Sequence, residues 1–246
     1  MADFIQKGDE GRIVDGVPED LNQGIKFFGN RLCPYAHRSW WALKEKGVEV
    51  DYIHIELGPN KPAWYSQVNP FGTVPAFFDE GKSVFESLVL VEFLDERYKG
   101  QGTTLLPDDL FVRAQARALA SKYGDRIKLH FALLQEPDQS KWPEAVKELR
   151  EGYLSFFRDL EAVAGPSSGP YLLGDQVSLL DLAIFPFIDR YTAVLKHYRD
   201  VDLLPSDDPR FDRFRTAFEA VKQRPAFQAT SQTPEYYVAA FSRLVK

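Results

Sequence analysis

Cysteine is nearly missing from this chain: position 33 holds the only one among 246 residues. A single thiol excludes an internal disulfide, so packing must hold the fold. A reducing compartment, the cytosol, is the expected location. Uninterrupted apolar runs of about 18 residues are missing too, which argues against a membrane-spanning helix and a membrane partner. Basic residues are not in excess: 30 Lys and Arg stand against 36 Asp and Glu, a net charge of −6. Nothing electrostatic therefore calls for nucleic acid. The opening MADFIQKGDEGRIVDGVPEDL has neither an apolar signal core nor the acid-poor, Arg- and Ser-rich character of an organelle presequence, and reads as an extended or weakly ordered lead-in.

What remains is ordinary globular composition, 44% hydrophobic and 14% aromatic, in a chain long enough for one large domain or two small ones. The periodicity changes along it. GIKFFGN is short, aromatic and bounded by glycine, as a buried strand is. Pro34 then suits the first position of a helix that Gly47 ends. VEVDYIHIEL alternates, with Ile53, Ile55 and Leu57 on one face, and reads as a second strand. AFFDEGKSVF reads as a hairpin turning at Asp79 to Lys82. Leu88, Val91, Leu94 and Tyr98 restore helical spacing. The order β-α-β, hairpin, α predicts a mixed sheet with one parallel and one antiparallel part.

KGQGTTLLPDD is rich in Gly, Thr and Pro and reads as a linker. Beyond it four long segments have helical patterns and no strand pattern appears. The expected layout is an N-terminal extension over 1–23, a mixed α/β domain over 24–98, a linker over 99–109 and an all-helical domain over 110–246. In VSLLDL, Ser178 and Asp181 fit a capping box with Asp in place of Glu, and Val177 and Leu182 fit a hydrophobic staple. LAIFPFI is apolar nearly all round, so this helix should be the buried centre of the second half, kinked at Pro186.

Cys33 sits where a strand gives way to a helix, immediately before Pro34. A helix start offers unsatisfied N–H donors and partial positive charge, both of which favour a thiolate. That context favours a reactive thiol over a small buried core residue. Position 36 is Ala, so the site lacks the second thiol of a Cys-x-x-Cys pair. A mixed disulfide on Cys33 must then be resolved by a thiol from elsewhere, which points to a small thiol cosubstrate. His54, His130 and His197 have no spacing with Cys33 that suggests a protease or metal site, and are expected in packing or solvent.

Cys33-Pro34-Tyr35-Ala36, NKPAW at 60–64, NPFGTVPAF at 69–77 and FES at 85–87 together resemble cysteine-type glutathione transferases. The omega class is the nearest likeness, with the plant lambda class and dehydroascorbate reductases close by. FLDERY, LLPDD and GDQVSLLDLAIFPFIDR extend the likeness over nearly the whole chain from Gly24. It implies a thioredoxin-like N-terminal domain, an all-helical C-terminal domain, glutathione as cosubstrate with no metal, and a homodimer. It implies that Cys33 is the catalytic thiol and that Val74, before a cis Pro75, pairs its backbone with the cysteinyl part of glutathione. Glu86 and Ser87 would take the γ-glutamyl end, and Lys61 the carboxylates or the thiolate. Pro34, Tyr35 and His37 are candidate modulators. His37 departs from the Glu or Gln usual at its position and is expected at the surface. The implied activity is thiol transfer or reduction, on glutathione mixed disulfides, dehydroascorbate or small glutathione conjugates. A non-catalytic binder of glutathione and hydrophobic ligands is the alternative class, and a soluble form of a chloride-channel-like protein a minor one.

Overall fold

The centre of the first half is strand β1, Lys26–Gly29, buried along its whole length. It pairs in parallel with β2, Asp51–His54, and antiparallel with β3, Ala76–Asp79, which pairs in turn with β4, Lys82–Phe85. The strand order is β2-β1-β3-β4. These observations come from a computed structural model, which describes residues 11–165 and 169–246. The first ten residues of the lead-in lie outside the described residues.

Register explains the alternation. Phe27 stands opposite Tyr52 and Phe77 on one face, while Phe28 stands opposite Ile53 and Ala76 on the other. Phe28, Ile53, Ile55, Tyr65, Val68, Ala76 and Phe78 form one buried cluster. The hairpin turns through Glu80 and Gly81, both at positive φ, as a two-residue turn between twisted strands requires. β2 is shorter than the alternating run suggests. Its far edge is met by the lead-in, where Arg12 donates to the Tyr52 carbonyl at 2.7 Å and accepts from His54 N–H at 3.0 Å.

Helix α1, Pro34–Glu45, and helix α2, Ser87–Arg97, are tied by buried polar contacts. Near the C-terminal end of α1, Lys46 reaches Asp95 at 3.0 Å and the Thr103 carbonyl at 3.1 Å. Thr103 also donates to the Glu45 carbonyl from its N–H and to the Glu45 carboxylate from its hydroxyl. The segment read as a linker is thus bound at Thr103. Gly102, at φ +58°, permits this approach, since a Cβ there would stand 2.2 Å from the Glu45 carbonyl oxygen.

Clustering of contacts divides the chain into Met1–Thr104 with Ala229–Ser231, and Leu105–Gln228 with Gln232–Lys246. The second unit is helical: α3, Leu110–Gln135; α4, Trp142–Ala164; α5, Leu179–Arg199; α6, Asp212–Lys222; α7, Pro225–Gln228; and α8, Pro234–Phe241. α5 is buried on every side from Leu179 to Ile188. His130 is also buried, stacked on Tyr191 and bonded to the Tyr153 hydroxyl at 2.7 Å; desolvation pushes its pKa down to about 3. The sequence reading did not foresee α7 and α8. For α8 the signal was there: Thr233 caps it by accepting from Tyr236 N–H, and Pro234 opens it. Among the described residues no helix is long and apolar enough to cross a membrane.

Ser178 and Asp181 form the capping box of α5. Asp181 accepts from Ser178 N–H and hydroxyl, each at 2.9 Å, and from Leu172 N–H at 3.0 Å. Burial outweighs these bonds and pushes its pKa up to about 6. An acid whose pKa rises on folding contributes stability fully below its unfolded pKa and loses it as pH rises through the folded one. The stability advantage of the wild type over Asp181→Asn should therefore shrink by about 2 kcal/mol between about pH 4.5 and pH 7. Urea unfolding of both proteins at the two pH values measures this. A difference independent of pH would show that the carboxyl keeps its ordinary pKa.

Candidate active site

The chain leaves β1 at Gly29 and takes one short turn before α1. Asn30 holds that turn: its amide donates to the Ile55 carbonyl at 2.9 Å, and its side-chain oxygen accepts from Leu32 N–H at 3.0 Å. Its backbone carbonyl accepts from Cys33 N–H at 2.9 Å. Cys33 is therefore the N-cap of α1, extended at φ −75° and ψ 115°, with Pro34 in the first turn. Its carbonyl takes the first helical bond, from His37 N–H at 3.0 Å.

A cleft of about 380 Å³ opens beside Cys33. It gathers Cys33, Tyr35, Lys61, Val74, Pro75, Glu86 and Ser87, together with Leu57, Gly58, Gly72 and Thr73. All of these residues belong to the first unit. The Val74–Pro75 peptide is cis. The loop before it is braced from beneath: Tyr65 hydroxyl and Asn69 amide both donate to the Thr73 carbonyl, at 2.8 and 2.7 Å. Lys61 donates to the Gly72 carbonyl at 2.7 Å. Gly72 has φ +62°, and a Cβ there would meet the Lys61 ammonium at 2.9 Å.

Glu86 is the N-cap of α2 at φ +69°, a conformation that costs a side-chain-bearing residue of order 1–3 kcal/mol and that clusters at functional sites. Ser87 is the first helical residue, one position inside the N-cap. Ser87 is nonetheless held closely by α1: Arg38 donates to its hydroxyl at 3.2 Å and Ser39 hydroxyl donates to its carbonyl at 3.0 Å. The electrostatics of the cleft register Cys33. Burial chiefly raises the pKa of the Tyr35 phenol; Arg38 opposes it, while Cys33 and Glu86 add to it. Burial likewise raises Tyr65, with Asn69 opposing and Cys33 adding.

Two residues singled out from sequence stand apart from the cleft lining. Pro34 is buried at the helix start. His37 is not a surface histidine: it is 2% exposed, and its Nε2 lies 2.9 Å from the hydroxyl of Thr230. The reason is topological, because Ala229–Ser231 belongs to the first unit and covers that face of α1. Spacing along α1 gives no sign of a partner 193 residues away. Sequence reasoning also passed over Asn30, Arg38 and the bracing pair Tyr65 and Asn69. For Asn69 the NPFG turn was a usable signal, since its side chain accepts from Phe71 N–H at 3.0 Å.

A thioredoxin-like sheet carrying a cysteine at a helix start, followed by an all-helical unit, defines the class of protein. Family profiles agree: residues 32–97 match the glutathione S-transferase N-terminal domain and residues 143–223 its C-terminal domain. The chain is similar to the omega-1 glutathione S-transferase of Sus scrofa, 32% identical over 72% of this chain and 70% of that one. It is similar to glutathione S-transferase L3 of Arabidopsis thaliana, 30% identical over 92% of this chain and 90% of that one. Among solved structures, a trimeric glutathione transferase from Leishmania superposes with a TM-score of 0.79 at 26% identity over 90% of this chain. The present chain spans about half the length of that Leishmania chain, 49%. The chain belongs to the glutathione transferase family.

Replacing Asn30 by Ala removes the acceptor of Leu32 N–H and the donor to Ile55 at once. Leaving these groups unsatisfied should cost about 2–3 kcal/mol in urea unfolding. A loss below about 0.5 kcal/mol, the range of a neutral surface change, would mean the backbone alone holds the turn.

Proposed function

We propose that the protein is a cysteine-type, glutathione-dependent thiol transferase. The observation that carries this reading is the position of Cys33: the N-cap of α1, in a cleft shared with Val74, Glu86 and Ser87. Cys33 as thiolate attacks the glutathionyl sulfur of a mixed disulfide. The S–S bond breaks, the partner thiolate leaves, and Cys33 becomes glutathionylated. The thiolate of a second glutathione then attacks the glutathionyl sulfur of this adduct, releasing oxidised glutathione and restoring Cys33. Small disulfides, dehydroascorbate and glutathione conjugates are the substrate classes this chemistry serves. For dehydroascorbate, two glutathione thiols supply the two electrons.

Roles follow from the chemistry of each group. No hydrogen bond joins the Val74 backbone to another described residue, so its N–H and C=O can pair with the cysteinyl residue of an extended peptide. The start of α2 suits the γ-glutamyl carboxylate, through the N–H and hydroxyl of Ser87. Glu86 suits the γ-glutamyl ammonium, and Lys61 the glycyl carboxylate. On this reading residues 24–98 bind glutathione and 110–246 form the helical domain. The cytoplasm is the working compartment, where the glutathione pool keeps a lone thiol reduced. A homodimer is the working assembly; exposed Phe71 and Val89 in the first unit, and Leu110 and Phe111 in the second, offer apolar surface for a second copy.

Brief exposure to oxidised glutathione should add a single group of ~305 Da to Cys33, removed again by reduced glutathione. Mass spectrometry of the intact protein reads both steps. Cys33→Ser should take up no adduct and lose thiol transfer entirely while unfolding at nearly the wild-type midpoint. Full turnover in that variant would overturn the mechanism.

A further inference from the structure

Arg38 does not line the cleft, yet its guanidinium touches two residues that do. It is 4% exposed, donates to the Ser87 hydroxyl at 3.2 Å and lies 5.1 Å from the centre of the Tyr35 ring. Its neighbour Ser39 donates to the Ser87 carbonyl. Two successive residues of α1 therefore hold Ser87 by its hydroxyl and by its backbone.

The direction of the Arg38 bond is what matters. A guanidinium only donates, so the Ser87 oxygen must accept from it. A hydroxyl has one hydrogen and two lone pairs. With one lone pair taken, the hydrogen is left to donate, and no described residue accepts it. We infer that Arg38 is a positioning residue that fixes Ser87 as a hydrogen-bond donor toward the cleft, and so selects a carboxylate at the start of α2. Without it the hydroxyl is free to rotate and present either a lone pair or its hydrogen. An anion is served only by the hydrogen. The charge of Arg38, stacked behind Tyr35, adds to the same preference. This inference rests on reading the cleft as the glutathione site.

The test is a double-mutant cycle on noncovalent binding of reduced glutathione, measured by calorimetry in the Cys33→Ser protein. Arg38→Met should weaken binding about tenfold, and Arg38→Lys, which keeps a charged donor, should recover part of that loss. In a Ser87→Ala background Arg38→Met should cause little further loss, because its effect runs through the hydroxyl. A glutathione analogue lacking the γ-glutamyl carboxylate should bind Arg38→Met and its parent alike. If the losses of Arg38→Met and Ser87→Ala simply add, or if the analogue loses as much as glutathione does, Arg38 is a structural tie and the inference falls. Should Arg38→Met not fold, Arg38→Lys carries the same cycle with the same two outcomes. Absence of any glutathione binding in the Cys33→Ser parent would remove the reading of the site itself, a result distinct from additivity.

Discussion

Helix α1 begins where β1 releases the chain from the sheet, and the place of that junction decides what else can meet at the cleft. β1 is paired on both sides, in parallel with β2 and antiparallel with β3. Both ladders hold it as far as Phe28, and the parallel one carries on to Gly29, opposite His54. Asn30 then spends its side chain on Ile55 and Leu32 and its carbonyl on Cys33. Every bond of this turn is local or reaches the neighbouring strand. The thiol consequently inherits the precision of the sheet, and the helix dipole arrives with it.

The other end of the constraint is polar and buried. α1 holds Ser87 through Arg38 and Ser39 near one end of the contact, and Asp95 and Thr103 through Glu45 and Lys46 near the other. Buried ion pairs such as Lys46–Asp95 are weak evidence for net stability, since desolvation offsets much of their attraction. Their geometry is demanding, however, and an apolar contact would tolerate a slide of α2 along α1 that these bonds do not. A slide of one ångström would carry Ser87 out of reach of Arg38. The cleft thus depends on polar contacts for register and on the Phe28 cluster for free energy.

Much of this was legible in sequence, and the failures share a cause. The strand, helix and hairpin order followed from periodicity, because each element alternates or repeats against a single buried surface. Cys33 was legible because Pro34 marks a helix start. Ser178 and Asp181 were legible because a capping box spans only four residues. His37 was misplaced at the surface because its cover arrives from Thr230, and no local period encodes a contact of that range. Arg38 was passed over for a similar reason: an arginine on a helix reads as solvated until the facing helix supplies Ser87. Local rules located the elements, whereas buried polar partners distant in sequence were invisible to them.

The single thiol also limits what the cleft can do alone. A Cys-x-x-Cys site gives up two electrons by closing its own disulfide, but here Ala36 occupies the second position. Under the proposed function, oxidising equivalents on Cys33 would stay as an adduct until an external thiol attacks. Such an adduct needs the cleft to hold its peptide part throughout the cycle, or the resolving thiol meets a wandering target. Of the cleft lining, Val74, Glu86 and Ser87 sit on a braced loop and a helix start rather than on mobile side chains. A lining built from backbone and first-turn groups costs little entropy to order on each turnover. That economy suits the proposed cycle, in which glutathione would be at once ligand and half of the disulfide, and fixed geometry around one cysteine would replace a second one.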